Sequence, residues 1–417
     1  MAILHKKVYF KTFGCRTNIY DTQVMIENLK DFSLSKNEED ADIIVINSCT
    51  VTNSADSRAR GYISKVNKLG KKIVYAGCGA VSKGKSLYKD EKIFGVIGSS
   101  EKENINSLLK NKDRFYQIGD LNSIEKTIVH NFEGKNRAFI KIQEGCDFKC
   151  SYCIIPHVRG GARSQDEAKI LDQVKILSSN NFSEFILTGT NIGSYGKDKN
   201  TSLGKLLKKI SLIKGVKRIR LGSIEPIQID EDFNEILDEP WLEKHLHIAL
   251  QHTNEDMLKL MRRRNSFKSD EKLLDNLSSK GFALGTDFIV GHPGETDERF
   301  EDGFKKLEML PLTHIHCFTY SKRDGTASAT MNSQIKGDIA KQRLKKVVDL
   351  IDKKNYNFRK VTNSPLQVLI EEYKNGYFSG LDQYFNKILI KSKKNIDKKW
   401  VVFNDYKVKE DLNYAEF

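Results

Sequence analysis

Cys146, Cys150 and Cys153 fall within eight residues of the stretch QEGCDFKCSYCIIPHVRG, Gln143–Gly160, in a CxxxCxxC spacing. Three thiols this close together suit a metal, since the thiolate is the soft ligand form of cysteine. Zinc would need a fourth ligand, such as water or His157. Structural zinc sites usually pair two CxxC-like knuckles, and no second knuckle lies nearby. A cubane [4Fe–4S] cluster is the better match, because three thiolates leave one iron without a protein ligand. That iron is then free to bind a small molecule and pass it an electron. Tyr152, directly before the last cysteine, is placed to pack beside such a ligand.

Three more cysteines share a different feature. Cys15, Cys49 and Cys78 each close a β-rich run: KKVYFKTFGC, ADIIVINSCT and KKIVYAGCGA. Between the first two runs, NIYDTQVMIENLKDF has apolar residues at helical spacing. After the second, NSADSRARGYISKVNKLG ends at a glycine, as helices often do. Strands alternating with helices imply βαβ units and a parallel sheet, whose carboxyl ends gather along one ligand-binding edge. A lone cysteine there would read as a buried structural thiol. Three at equivalent strand ends predict a shared metal site. Cys317, inside HIHCFTYSK, matches no ligand pattern and reads as a buried strand residue.

The elements that must position these groups divide the chain into three. Residues 1–125 form the α/β domain of the three runs, and a polar linker at about 121–136 follows. Over 132–355, the runs RAFIKIQEG, EFILTGTNIG, KRIRLGSIEP, HLHIALQ, ALGTDFIVGHPGE and HIHCFTYSK alternate with helical patterns. Six such βα units predict a partial barrel with its site at the carboxyl ends of the strands, where the CxxxCxxC loop stands. Residues 360–417 read as short strands and turns, hence a small all-β barrel. Its aromatics Tyr377, Phe378, Tyr384, Phe385 and Trp400 sit among lysines, which suits base stacking with phosphate contact, or else an ordinary β core with a basic face.

Bulk properties agree with a globular protein that meets polyanions. Of 417 residues, 39% are hydrophobic, and 69 Lys and Arg against 55 Asp and Glu leave a net charge of +14. Such an excess favours nucleic acid as a partner, although Lys-rich surfaces also occur without one. The start MAILHKKVYFKTFGC lacks the apolar run and small-residue site of a secretory signal. No apolar run approaches the roughly 20 residues of a membrane helix. A cytoplasmic location is therefore expected, where seven cysteines stay reduced and serve metals or catalysis.

The CxxxCxxC spacing with an aromatic before its last cysteine resembles the signature of the radical S-adenosylmethionine (SAM) superfamily. There, SAM chelates the open iron, and one electron cleaves it to a 5′-deoxyadenosyl radical. Within that superfamily, TFGCRTN, NSCTVTNSADSRAR and AGCGA are similar to the amino-terminal domain of the methylthiotransferases. QEGCDFKCSYCIIPHVRGGARS resembles their radical SAM core, and the last segment resembles their RNA-binding TRAM domain. The resemblance covers nearly the whole chain and implies an enzyme with two [4Fe–4S] clusters. Cys146, Cys150 and Cys153 would hold the SAM-cleaving one; Cys15, Cys49 and Cys78 would hold a second, carrying the sulfur to be inserted. A low-potential electron donor and a sulfur source are implied as partners, together with the anticodon arm of tRNA.

By the same resemblance, Gly189 and Asn191 in LTGTNIGSYG, and Ser223 and Glu225 in GSIEP, join Tyr152 as SAM-side candidates, though each is also a common turn or cap residue. GTDFIVGHPGE contributes Asp287 and Glu295, either pocket residues or helix-start acids. HVRGGARS contributes Arg159 and Arg163, facing phosphate or solvent. GCRTN, CSYCIIPHVRG, TGTNIGSYG and SIEP look most like the MtaB-type branch, which places a methylthio group on C2 of N6-threonylcarbamoyladenosine next to the anticodon. The other branches act on isopentenyl-adenosine of tRNA or on a ribosomal-protein aspartate. Two departures, LQHTN (Leu250–Asn254) and His292 before the proline of GHPGE, leave the cysteines intact and bear on substrate fit. A rival of another class is a non-catalytic iron–sulfur RNA-binding protein; a zinc-stabilised module is another.

Overall fold

The strand Ile43–Ser48 is buried at every position, as a central strand covered on both faces must be. It pairs in parallel with Lys7–Thr12 on one side and Lys72–Gly77 on the other. The computed structural model describes residues 6–417. It adds Ser33–Leu34 at one edge of this sheet, and Gly95–Ile97 and Phe115–Gln117 at the other, giving six parallel strands. The added strands are two or three residues long, too short for a periodic pattern to reveal. Helices Arg16–Glu27, Asn53–Asn67 and Cys78–Lys89 link and cover the strands. The second starts sharply because the Thr52 side chain accepts a hydrogen bond from the Ala55 N–H.

Six further parallel strands build the partial barrel. Ala138–Lys141, Glu184–Thr188 and Arg218–Leu221 form one half, and His245–His247, Ala283–Val290 and Leu312–Thr319 form the other. Parallel bridges Ile219–Leu242 and Ile224–Ile248 join the halves. The main core lies between this barrel and its helices, around Phe185, Leu207, Leu246, Leu284 and Val347. Charge is also buried: Arg220 is held by Glu184 at 2.9 Å and Glu243 at 2.6 Å.

The helix Gly337–Val361 leads to a six-stranded, mostly antiparallel domain built on Leu366, Val368, Ile370, Ile388 and Ile390. The architecture is therefore α/β: an amino-terminal parallel sheet, a partial βα barrel and a small carboxy-terminal sheet domain. Most of the last domain's aromatics do not face solvent. Phe378 is core, Tyr384 packs on Phe358, and Trp400 Nε1 donates to Ser183 Oγ of the barrel at 2.8 Å. Phe385 enters the barrel and stacks on His245, ring centres 4.9 Å apart. These side chains dock one domain on another because the large rings are the surface that gains most by leaving water. Tyr377 is exposed, as are Tyr373 and Phe417, which sequence reasoning passed over. Among the described residues no helix is long and apolar enough to cross a membrane.

Candidate metal centres and the ground between them

Sheet register brings Cys15, Cys49 and Cys78 to one edge. Thr12 lies opposite Asn47 and Ser48 opposite Gly77, so the three residues follow the carboxyl ends of three adjacent strands. Gly14, at φ +115°, is essential to the approach: a Cβ there would sit 2.3 Å from Cys49 Cβ. Cys15 is exposed, whereas Cys49 and Cys78 are buried. Burial pushes the Cys49 thiol up to about 12, and the proximity of Cys78 and Cys15 adds to the effect. The Val51 N–H donates to Cys49 Sγ at 3.4 Å.

The CxxxCxxC loop lies against this edge. Ile154 and Val158 pack with Cys78 in one apolar cluster. Around the loop's own thiols stand two donors: Asn191 Nδ2 lies 3.7 Å from Cys146 Sγ, and Arg263 Nη1 lies 3.7 Å from Cys150 Sγ. Arg263 also grips Glu225, Nη1 to Oε1 at 2.9 Å, with a second bond from Nη2 to Oε2. Asn191 and Glu225 thus belong to the surroundings of this triad, and Arg263 is a member that sequence reasoning missed. Its signal would have been a cation in the RRRN run, with nothing local to choose among three arginines. Tyr152 is half-buried against Met257, Met261 and Ile289. Gly189 lies where a Cβ would meet the Gln143 carbonyl at 2.7 Å.

Arg159 does not face solvent, whereas Arg163 is only half-buried. The Arg159 side chain is buried: Nε donates to Cys78 Sγ at 3.0 Å, Nη1 to Asp21 at 2.7 Å and Glu144 at 2.8 Å, and Nη2 to Asn18 at 2.8 Å. Arg163 donates to the carbonyls of Ser123, Arg159 and Gly161. Arg159 comes from the helix directly after the first triad and ends on a thiol of the second. It belongs to a sealed network in which Lys141 meets Asp21 at 2.8 Å and Glu125 at 2.9 Å, and also pairs with Glu144. Lys102 adds a 3.0 Å pair to Glu125. Three acids and three bases balance, which is the condition for burying them at all. Burial disfavours the Glu125 carboxylate, yet Lys102 and Lys141 hold its pKa down to about 2.

The remaining candidates divide. Ser223 and Asp287 stand together, Oγ to Oδ2 at 3.5 Å, inside the mouth of the barrel. Burial works against the Asp287 carboxylate, but His247 at 3.2 Å and His316 at 3.5 Å hold its pKa well below the usual range. Glu295 is structural: it accepts from Arg343 at 2.7 Å and lies 3.1 Å from His252 Nε2. The two departures in sequence are therefore core features. His252 stacks on Phe288, and His292 Nε2 lies 2.7 Å from Ser328 Oγ. Cys317 is half-buried in its strand.

Among the described residues, the sets with ligand atoms mutually within 4.8 Å are His247–Asp287–His316 and Asp21–Glu125–Glu144. The latter already encloses the Lys141 ammonium. Neither cysteine triad closes to that spacing. N–H groups aimed at Cys49, Cys78, Cys146 and Cys150 are the environment that metal-bound thiolates accept from. The residues fit iron–sulfur clusters.

A parallel βα barrel with CxxxCxxC after its first strand is the frame of a radical SAM protein, and residues 140–307 match the model of the radical SAM superfamily. Residues 7–98 match the model described as uncharacterized protein family UPF0004. A methylthiotransferase-family protein of Helicobacter pylori (strain ATCC 700392 / 26695) is 54% identical over 417 residues, covering 99% of this chain and 100% of its own. The threonylcarbamoyladenosine tRNA methylthiotransferase MtaB of Rickettsia prowazekii is 34% identical over 372 residues, 86% of each chain. The radical SAM methyltransferase TsrM of Kitasatospora setae, solved with cobalamin and a [4Fe–4S] cluster, shares the fold: TM-score 0.60 at 13% identity, over 78% of this chain and 77% of that one. The chain belongs to the MtaB-type radical SAM methylthiotransferase family and is an enzyme.

Proposed function

We propose that this enzyme transfers a methylthio group to C2 of N6-threonylcarbamoyladenosine next to the anticodon of tRNA. The observation that carries the reading is the pair of facing thiol triads, joined by Arg159 from one motif to Cys78 of the other. Cys146, Cys150 and Cys153 hold a [4Fe–4S] cluster that binds SAM, and Cys15, Cys49 and Cys78 hold the second. When bound, the first supplies one-electron cleavage of SAM to a hydrogen-abstracting radical, and the second supplies the sulfur to be inserted.

The chain's own residues position these parts. Asn191 and Arg263 donate to the first triad, and Glu225, fixed by Arg263, offers an acceptor beside it. Tyr152 and Gly189 complete that side, while Ser223 and Asp287 line the barrel mouth. The sealed network around Lys141 and Arg159 keeps the second triad in register with the first. For tRNA, the carboxy-terminal domain offers exposed Tyr373 and Tyr377, beside a groove of about 580 Å³ where Lys393, Lys394 and Lys398 stand among Glu371, Glu372 and Asp397. The net charge of +14 and the exposed rings support backbone grip with base stacking; the reading further takes the cytoplasm as the setting and a low-potential electron donor and a sulfur source as partners.

The test is nucleoside mass spectrometry of tRNA incubated with reconstituted protein, SAM and a reductant. The expected product is 2-methylthio-N6-threonylcarbamoyladenosine. A methylthio group found only on isopentenyl-adenosine would move the enzyme to the other tRNA branch, and iron-loaded protein that binds tRNA without cleaving SAM would leave a binding protein.

A further inference from the structure

Arg16 directly follows Cys15 and opens the helix Arg16–Glu27. Its side chain leaves the amino-terminal sheet and reaches the neighbouring barrel, where Nη1 donates to the Leu221 carbonyl at 3.3 Å. The guanidinium carbon lies 5.6 Å from the centre of the Phe385 ring. The other arginines of this region each hold a carboxylate: Arg159 has Asp21 and Glu144, Arg218 and Arg220 share Glu184, and Arg263 has Glu225. Arg16 forms no ion pair among the described residues. The acid whose field it feels most, Glu243, is engaged by Arg220 at 2.6 Å and by the Leu221 N–H at 2.7 Å.

Its surroundings have the form of a ligand site. Phe385 supplies an aromatic surface, with His245 stacked on it and His314 at 6.1 Å. His247 and His316, ring centres 4.8 Å apart, continue the wall towards Asp287. The Nε2 atom of His245 is buried without a hydrogen-bond partner, in a residue only 5% exposed. A guanidinium lacking a carboxylate, in a half-buried place lined by rings and one unpartnered imidazole nitrogen, is complementary to an anion with a planar body attached.

We propose that Arg16 binds the carboxylate at the end of the substrate adenosine's N6 substituent, making it a specificity-determining residue. This rests on the substrate reading above, in which the substituent is a threonylcarbamoyl group. The planar guanidinium fork matches a carboxylate with two parallel hydrogen bonds. An uncharged isopentenyl substituent would leave the same guanidinium desolvated and unpaired, which is costly. Residue 16 adjoins Cys15, so the anchor for the substrate and a thiol of the second triad are parts of one helix start.

The test is binding of three synthetic anticodon stem-loops to reconstituted protein at one fixed salt concentration. The loops carry N6-threonylcarbamoyladenosine, its carboxamide analogue, or unmodified adenosine. Wild type is expected to prefer the acid over the amide by about tenfold or more, the size of one charge-assisted contact. R16Q is expected to bind acid and amide alike, with the amide bound as by wild type. R16Q that keeps the preference, or wild type that binds acid and amide equally while still preferring both to the unmodified loop, overturns the role of Arg16. Wild type that binds all three loops equally overturns the substrate reading itself. If R16Q fails to load iron, R16K carries the test: a reduced preference supports the assignment and an unchanged one overturns it.

Discussion

Cys146, Cys150 and Cys153 lie on one loop, whereas Cys15, Cys49 and Cys78 come from three strand ends separated by whole helices. The first triad needs only a short stretch of backbone to hold its shape. The second needs three strands in correct register, a glycine that lets two of them approach, and a helix from another domain delivering Arg159. The half-buried loop triad is braced by single donors at 3.7 Å, while the strand-end triad rests on a buried network of six charges. A local motif tolerates change elsewhere in the chain. An assembled site inherits every weakness of the fold that assembles it.

The largest effects separate the triads outright. C150A is expected to abolish both 5′-deoxyadenosine formation and methylthio product, whereas C78A abolishes the product and leaves some SAM cleavage; equal loss of both activities in the two variants would erase the proposed distinction. Next, K141M removes the one cation that Asp21, Glu125 and Glu144 share, leaving three acids to Lys102 and Arg159. Breaking one side of a buried ionic group costs about 3–5 kcal/mol, measurable by denaturant unfolding. The network also sets an acid limit. Because Glu125 has its pKa held down to about 2 in the fold, its contribution is complete above its unfolded value near 4.5 and disappears as pH falls from there towards 2. Wild type should therefore lose stability across that window, and an unchanged unfolding midpoint between those pH values would contradict the pairing.

Smaller changes sharpen the same contrast. G14A would set a Cβ 2.3 Å from Cys49 Cβ at φ +115°, at a cost of about 1–3 kcal/mol. Its iron content should fall by half, the loop triad staying loaded; loss of all iron would mean that the sites assemble together. The mildest change is H292F. Burial pushes the His292 pKa down to about 4, so the fold favours the neutral ring. Stability from this group is full above its unfolded value near 6.5 and declines towards pH 4, by up to about 1.4 kcal/mol per pH unit. H292F should flatten that part of the pH–stability curve while leaving both triads loaded, and an unchanged slope would refute the assignment.

Much of the candidate site was legible because it depends on neighbours in the chain. CxxxCxxC is readable since eight residues of backbone confine three thiols whatever surrounds them. The strand-end cysteines were readable because a parallel sheet gathers its carboxyl ends on one edge. Partners across the fold were not. Arg159 reads as an exposed or phosphate-binding cation in HVRGGARS, yet it ends on Asp21, Glu144 and Cys78. Phe385 and Trp400 read equally well as RNA-stacking aromatics and dock the last domain on the barrel instead.

Composition, spacing and period were enough for the α/β class, the net basic charge and thiol triads as candidate metal ligands, since each is carried by local backbone geometry or by net charge. Tertiary structure alone decided which charges are sealed inside, which arginine meets which acid, and that Arg16 has none. Those outcomes turn on desolvation and on distances of a few ångströms between residues tens to hundreds of positions apart, and a linear pattern carries no record of either.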